Sequence, residues 1–309
     1  MNEVIVTGCF GFIGSNLVNK LSQQDCNVYG VGSGGEKKSN SNFLNGYVDF
    51  NNLNKLLKLM KGKPKTIYHL AGGSSVGTAV DNPYGDFCKS VDTASLLFEW
   101  VRVNSPETNV IIASSAAVYG SHSGGKLREN SKVNPYSNYG YHKEMVERLA
   151  SMYRSNHNLK ITAVRIFSVY GNGLRKQLLW DMCNKLRNID KPTILTCFGT
   201  GNEERDWIHI NDVCDSLYAL GSLGNSSPCV VNLGTGTKHT VAELISLLCM
   251  HWFNGQVDID IVFNNSSRAG DPFSLVSDCV FKDSLCGKYK VKLDEGVAQY
   301  VNWYKQNHE

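Results

Sequence analysis

The sequence predicts an α/β fold, a doubly wound parallel sheet carrying a smaller C-terminal domain, and three observations lead there. Short β-branched runs alternate with helical runs from the first residues to about position 166. The first of them, Val4-Ile5-Val6-Thr7, has no polar alternation, as in strands covered on both faces. After residue 173 the rhythm breaks into irregular segments, which read as a second unit laid over the C-terminal edge of the sheet.

The first run passes into three glycines, Gly8, Gly11 and Gly14, and then an amphipathic helix over 15–21. In that setting the glycines serve a tight turn, backbone approach to a pyrophosphate, and close helix–strand packing. The helix start aims free N–H groups and a positive dipole end at the anion. A glycine-rich turn without ligand is the plain alternative. The strand before and the helix after favour a Rossmann-type dinucleotide site. A second strand over 28–31 ends in Gly32-Ser33 with no carboxylate before Glu36, and with Lys37 and Lys38 behind it. NAD-selective folds put an acid there to hold the ribose. Its lack favours NADP(H), with Ser33 and Lys37 meeting the extra phosphate; NAD(H) is the alternative.

A third strand is expected over 47–50, a helix over 53–60, a fourth strand over 66–73 and a long helix over 83–103. A fifth strand follows over 110–113, a helix over 141–157 and a sixth strand over 161–166. Beyond 173 helices are expected over 178–186, 212–220, 241–253 and 294–304. Short segments lie at 193–198 and 207–210, and a strand at 258–263. Residues 1–172, with about 206–236 returning, form the expected dinucleotide domain, and 173–205 with 237–309 the substrate domain.

Composition narrows the class. With 42% apolar and 19% charged residues over 309 positions, the chain is an ordinary globular one. A formal charge of +3 gives no case for nucleic acid or an anionic membrane. No apolar run reaches membrane-spanning length, and the N-terminus enters a strand without a cleavable leader. Ten cysteines with no C-x-x-C pair read as reduced thiols in a cytoplasmic protein. No metal site is expected.

The chemistry centres on Ser114 and Ser115, just past a strand end, and on Tyr139 and Lys143. Four residues apart on a helix, Tyr139 and Lys143 share one face. An ammonium beside a phenol is expected to lower its pKa and give an acid/base suited to carbinol–carbonyl exchange, with Ser115 orienting the same oxygen. A surface i,i+4 pair is the bland reading; the upstream glycine loop and serines argue against it.

The stretches V-T-G-C-F-G-F-I-G, H-L-A-G-G, S-S-A-A-V-Y-G, Y-G-Y-H-K, V-R-I-F-S-V-Y-G-N-G, G-T-G-N-E-E-R-D-W-I-H-I-N-D-V and V-N-L-G-T-G resemble the extended short-chain dehydrogenase/reductases over essentially the full chain. The resemblance is to their nucleotide-sugar epimerase/dehydratase/reductase branch. It implies Ser115, Tyr139 and Lys143 as catalytic triad. It implies cofactor contacts from Gly8, Gly11, Phe12, Ile13, Gly14, Asp49, Phe50, Leu70, Ala71 and Gly72. Ser74 and Ser168 are implied at the substrate, and Arg205 and Arg268 match arginines that clamp its diphosphate, as planar forks do. Phe198 to Gly201 is implied near the base; Trp207 reads as core and His209 as a satisfied buried imidazole. A homodimer through helices 87–103 and 141–157 is also implied.

Departures narrow the reaction. Dehydratases carry an Asp-Glu pair where this chain has Ala116 and Ala117, which transfer no proton. Ser90 and Ser168 replace asparagines usual in the family. The cofactor reading then favours NADPH-dependent reduction of a nucleotide-linked 4-keto-6-deoxyhexose at C4. The alternatives are an NAD-dependent nucleotide-sugar 4-epimerase and a non-catalytic NAD(P)-binding subunit.

Overall fold

The computed structural model describes residues 2–33, 44–121, 124–188, 194–256, 259–266 and 272–308. The first part runs β1 (Asn2–Thr7), α1 (Phe12–Ser22), β2 (Cys26–Gly32), β3 (Gly46–Asp49), a 3-10 turn (Phe50–Lys55) leading into α2 (Leu56–Leu59), and β4 (Thr66–His69). Next come α3 (Val76–Asp81), α4 (Pro83–Phe87), a π-helical turn (Cys88–Asp92), α5 (Thr93–Asn104), β5 (Asn109–Ser115), α6 (Asn138–His157) and β6 (Lys160–Ile166). The remainder is β7 (Ser168–Tyr170), α7 (Gln177–Arg187), β8 (Ile194–Cys197), β9 (Glu204–Arg205), β10 (Trp207–His209), α8 (Ile210–Ser222), β11 (Val230–Leu233), β12 (His239–Thr240), α9 (Val241–Trp252), β13 (Asp260–Phe263), β14 (Ser274–Leu275), α10 (Val280–Cys286) and α11 (Leu293–His308).

Seven strands form one parallel sheet in the order β11-β6-β5-β4-β1-β2-β3. The chain builds outward from β1 in one direction through β2 and β3, then in the other through β4. The β1/β4 junction is therefore the topological switch point, and the crevice beyond its strand ends is where such sheets bind ligands. The expected fold class is the observed one.

Strand side chains alternate between faces, and both faces are covered. Ile5 joins Phe98, Val110, Ile112 and Ile161 on one side; Val4 and Val6 join Leu17, Val28, Ile111, Val164 and Leu217 on the other. That is why the first run shows no polar alternation. A third cluster gathers Tyr170, Leu179, Leu248, Val297, Tyr300 and Tyr304. Phe12, at the start of α1, packs on both the second and third clusters.

Several elements differ from expectation, α10 (Val280–Cys286) among them. The helix expected over 83–103 is divided by the π turn of Cys88–Asp92. The helix expected over 53–60 begins as a 3-10 turn with a kink at Asn52 (φ −126°, ψ 32°), because Asp49 caps it by accepting from the Asn51 N–H at 3.0 Å. The seventh strand, β11, is not among the expected strands.

Candidate active site

The glycine loop closes on itself and on the switch point. Gly11 N–H donates to Gly8 O at 2.8 Å, and a Cβ on Gly14 would stand 2.1 Å from the same oxygen. Only a glycine lets α1 start this close to β1. From β4, Leu70 N–H donates to Thr7 O at 3.3 Å and Ala71 N–H to the Thr7 hydroxyl at 3.1 Å. The structure thus brings Gly8, Leu70 and Ala71 together. The first turn of α1, with Phe12 and Ile13, has neither a side-chain cap nor an acidic residue. Its free N–H groups suit a dinucleotide pyrophosphate.

Other expected cofactor residues fare differently. Ser33 is exposed at the end of β2. Asp49 pairs in register with Gly32 and caps the 3-10 turn. Phe50 is buried in the first core cluster, its ring 6.1 Å from that of His69. Lys37 lies outside the described residues.

The three expected catalytic residues converge. Ser115 ends β5, and its Oγ accepts from Ala117 N–H at 3.2 Å. Ser137 caps α6 by accepting from Gly140 N–H at 3.1 Å, which sets Tyr139 in the first turn, hydrogen-bonded to the Ser115 side chain. Lys143 is buried; its Nζ donates to Ala113 O at 3.0 Å and lies 5.6 Å from the Tyr139 ring centre. Gly72 adjoins both the Lys143 amine and the Ser90 hydroxyl, and Ser90 Oγ accepts from Gly73 N–H at 2.9 Å.

Electrostatics correct one expectation. Burial, reinforced by the charge of Asp86, pushes the Tyr139 phenol up to about 12, against the Ser115 hydrogen bond. Burial also pushes Lys143 down to about 8, opposed by Asp86 and Glu147. The lysine does not depress the phenol below its ordinary value, because desolvation of the phenolate outweighs an ammonium engaged on a backbone carbonyl.

Several polar residues that sequence reasoning passed over hold this arrangement. Glu147, one turn beyond Lys143, pairs with Arg165 of β6 at 2.7 Å and accepts from the Ser114 hydroxyl at 2.5 Å. Arg165 continues to Tyr119 Oη at 2.8 Å, and Tyr119 to Asn232 of β11 at 2.6 Å. An arginine inside the apolar run Val164-Arg165-Ile166 was the available signal. Buried Asp86 bonds His142 Nδ1 at 2.5 Å, tying α4 to α6.

The expected substrate residues lie apart from one another in sequence and element. Ser74 is exposed beyond β4, and Ser168 N–H in β7 donates to Asp206 O at 3.0 Å. Arg205 rests its guanidinium on the Glu204 and Phe273 carbonyls at 2.9 and 3.1 Å. Its neighbour Asp206, fully buried, accepts from Thr235, Gly236 and Ser277. Arg268 lies outside the described residues. Trp207 packs on the third cluster as expected. His209 is only half satisfied: Nδ1 accepts from Asn211 N–H at 3.3 Å, while Nε2 is buried with no partner among the described residues.

A parallel sheet with a glycine loop at its switch point and a Ser-Tyr-Lys set beyond β5 defines a dinucleotide-binding enzyme fold. Residues 4–234 match the model of the NAD dependent epimerase/dehydratase family, and the chain belongs to that family. It is 28% identical over 315 residues to a putative UDP-glucose 4-epimerase of Methanocaldococcus jannaschii, covering 98% of this chain and 99% of that one. It is 27% identical to the UDP-glucose 4-epimerase of Mycolicibacterium smegmatis over 327 residues, 98% of each. Among solved structures, MoeE5 in complex with UDP-glucose and NAD superposes with a TM-score of 0.85 at 27% identity over the full length of both chains.

Proposed function

We propose that this protein is an NAD-dependent 4-epimerase of UDP-sugars. The observation that carries the reading is Tyr139, hydrogen-bonded to Ser115 and one turn from buried Lys143, beyond the strand end next to β4. Near full-length likeness to proteins named UDP-glucose 4-epimerase supports it. This replaces the NADPH-dependent 4-ketoreductase as the favoured reading: the Gly32-Ser33 terminus argued for NADP(H), whereas the structural relative is in complex with NAD.

The chemistry a bound NAD supplies is reversible hydride uptake at the sugar C4. Tyr139 takes the C4 hydroxyl proton as the carbonyl forms and gives it back after the sugar has turned. Ser115 holds that same oxygen, and Lys143 keeps positive charge beside the phenol. The proton borrowed is the proton returned, so a phenol buried away from bulk solvent suffices. Gly8, Gly11, Phe12, Ile13, Gly14, Leu70, Ala71 and Gly72 would hold the dinucleotide, and Ser74, Ser168 and Arg205 the nucleotide sugar.

Residues 1–172 with about 206–236 form the dinucleotide domain in this reading, and 173–205 with 237–309 the sugar-nucleotide domain. Two copies pair through α5 and α6, where Leu96, Val103, Tyr141 and Met145 are exposed, burying that apolar face in a four-helix bundle. The ten cysteines of the sequence, which include no C-x-x-C pair, suit a reducing cytoplasm.

The test is incubation with UDP-glucose, UDP-galactose or UDP-glucuronic acid and NAD, with products separated by anion exchange. Interconversion of C4 epimers without net reduced cofactor is expected. NADPH oxidation by a 4-keto-6-deoxy sugar nucleotide, with no interconversion, would restore the ketoreductase.

A further inference from the structure

Strand β2 ends in Gly32-Ser33, where dinucleotide folds selective for NAD place a carboxylate against the adenosine ribose. The neighbouring strand fills that gap. Tyr47 of β3 pairs with Gly30, and its ring packs beside Cys9 and Leu44 over the face of β2 where Gly30 and Gly32 carry no side chain. A Cβ on Gly30 would lie 3.3 Å from the ring, and one on Gly32 would lie 3.1 Å from the hydroxyl. The Tyr47 Oη therefore stands over Gly32, at the strand end. Phe10, from the glycine loop itself, covers the ring at 5.2 Å between centroids and is itself exposed.

The hydroxyl is buried and has no hydrogen-bond partner among the described residues. Buried polar atoms are nearly always paired, and one that is not asks for a partner that the described residues do not supply. Burial, with Cys9 and Asp49 nearby, raises the phenol further, so it stays neutral, able to donate and accept together.

We propose that the Tyr47 hydroxyl is the group that recognises the adenosine ribose 2′-hydroxyl of the dinucleotide, taking the place of the absent carboxylate. Phe10, exposed beside the ring, is the side chain that would have to give way to admit it. The assignment rests on the dinucleotide reading but not on epimerase chemistry. Recognition is then one reciprocal hydrogen bond between neutral groups, with the ring crowding a 2′-phosphate.

The test is calorimetric titration of wild type and Tyr47→Phe with NAD⁺, with its 2′-deoxyadenosine analogue, and with UDP as a control for the fold. Wild type is expected to bind NAD⁺ about five- to tenfold tighter than the deoxy analogue, as one hydrogen bond allows. Tyr47→Phe is expected to lose that preference, to bind UDP unchanged, and to melt no lower than wild type without ligand. A variant that keeps the wild-type preference overturns the assignment alone. Failure of wild type to bind any dinucleotide overturns it together with the proposed function.

Discussion

Gly140 stands so close to Ala117 that a Cβ on it would lie 2.7 Å from the Ala117 carbonyl oxygen. This contact is where α6 docks on the 3-10 turn after β5 (Ala116–Tyr119), and it sets the Tyr139–Ser115 hydrogen bond. Replacing Gly140 with valine forces the helix off the turn. The expected cost is about 1–3 kcal/mol in urea unfolding, with turnover falling far more than UDP affinity, because UDP binding does not depend on that bond. Equal losses in the two would show that Gly140 serves folding only.

Tyr139→Phe removes the proton carrier and keeps the ring. A positioned general acid/base contributes about 10²- to 10⁴-fold, so kcat should drop within that range while NAD and UDP-sugar affinities hold. Ser115→Ala should cost less, because it leaves the proton carrier in place. Steady-state kinetics beside equilibrium binding separate these outcomes.

Lys143 gives the pH dependence its sign. Its folded-state pKa is pushed down to about 8 from the ordinary 10.5. Turnover that needs the ammonium should therefore fall as pH rises through about 8. Stability runs the other way: between about 8 and 10 the unfolded chain binds more protons at this residue, so the Lys143 penalty shrinks as pH climbs. Lys143→Met should be inactive yet melt higher than wild type at pH 7, its advantage narrowing toward pH 10. Melting curves across that window read the effect directly.

What could be read from the sequence was local or periodic. Val4 to Thr7, the glycines behind them, and the four-residue spacing of Tyr139 and Lys143 carry their geometry in their own order. The contacts of Arg165 with Glu147 and Tyr119 do not, since register and helix docking bring them together from separate elements. The cofactor reading shows the same boundary. Along the chain Gly32-Ser33 reads only as a strand end without a carboxylate, and it takes strand pairing to bring the Tyr47 hydroxyl beside Gly32. The depressed tyrosine failed for another reason: spacing shows that two groups are neighbours, but not how thoroughly water is removed from them.

Glu147, on the same helix as Lys143, and Arg165 of β6 form an ion pair with 10% and 6% side-chain exposure. Glu147→Gln leaves the guanidinium buried without its counter-charge. Breaking one side of such a pair costs about 3–5 kcal/mol, whereas replacing both partners with apolar residues of similar volume is far milder. Glu147→Gln should therefore lose about 3–5 kcal/mol in urea unfolding, and Glu147→Leu combined with Arg165→Met should regain much of it. Activity should not return with stability in the double variant, since Ser114 loses its acceptor and Lys143 loses a charge that holds its proton. A double variant that recovers both would reduce the network to a folding element with no hold on Lys143.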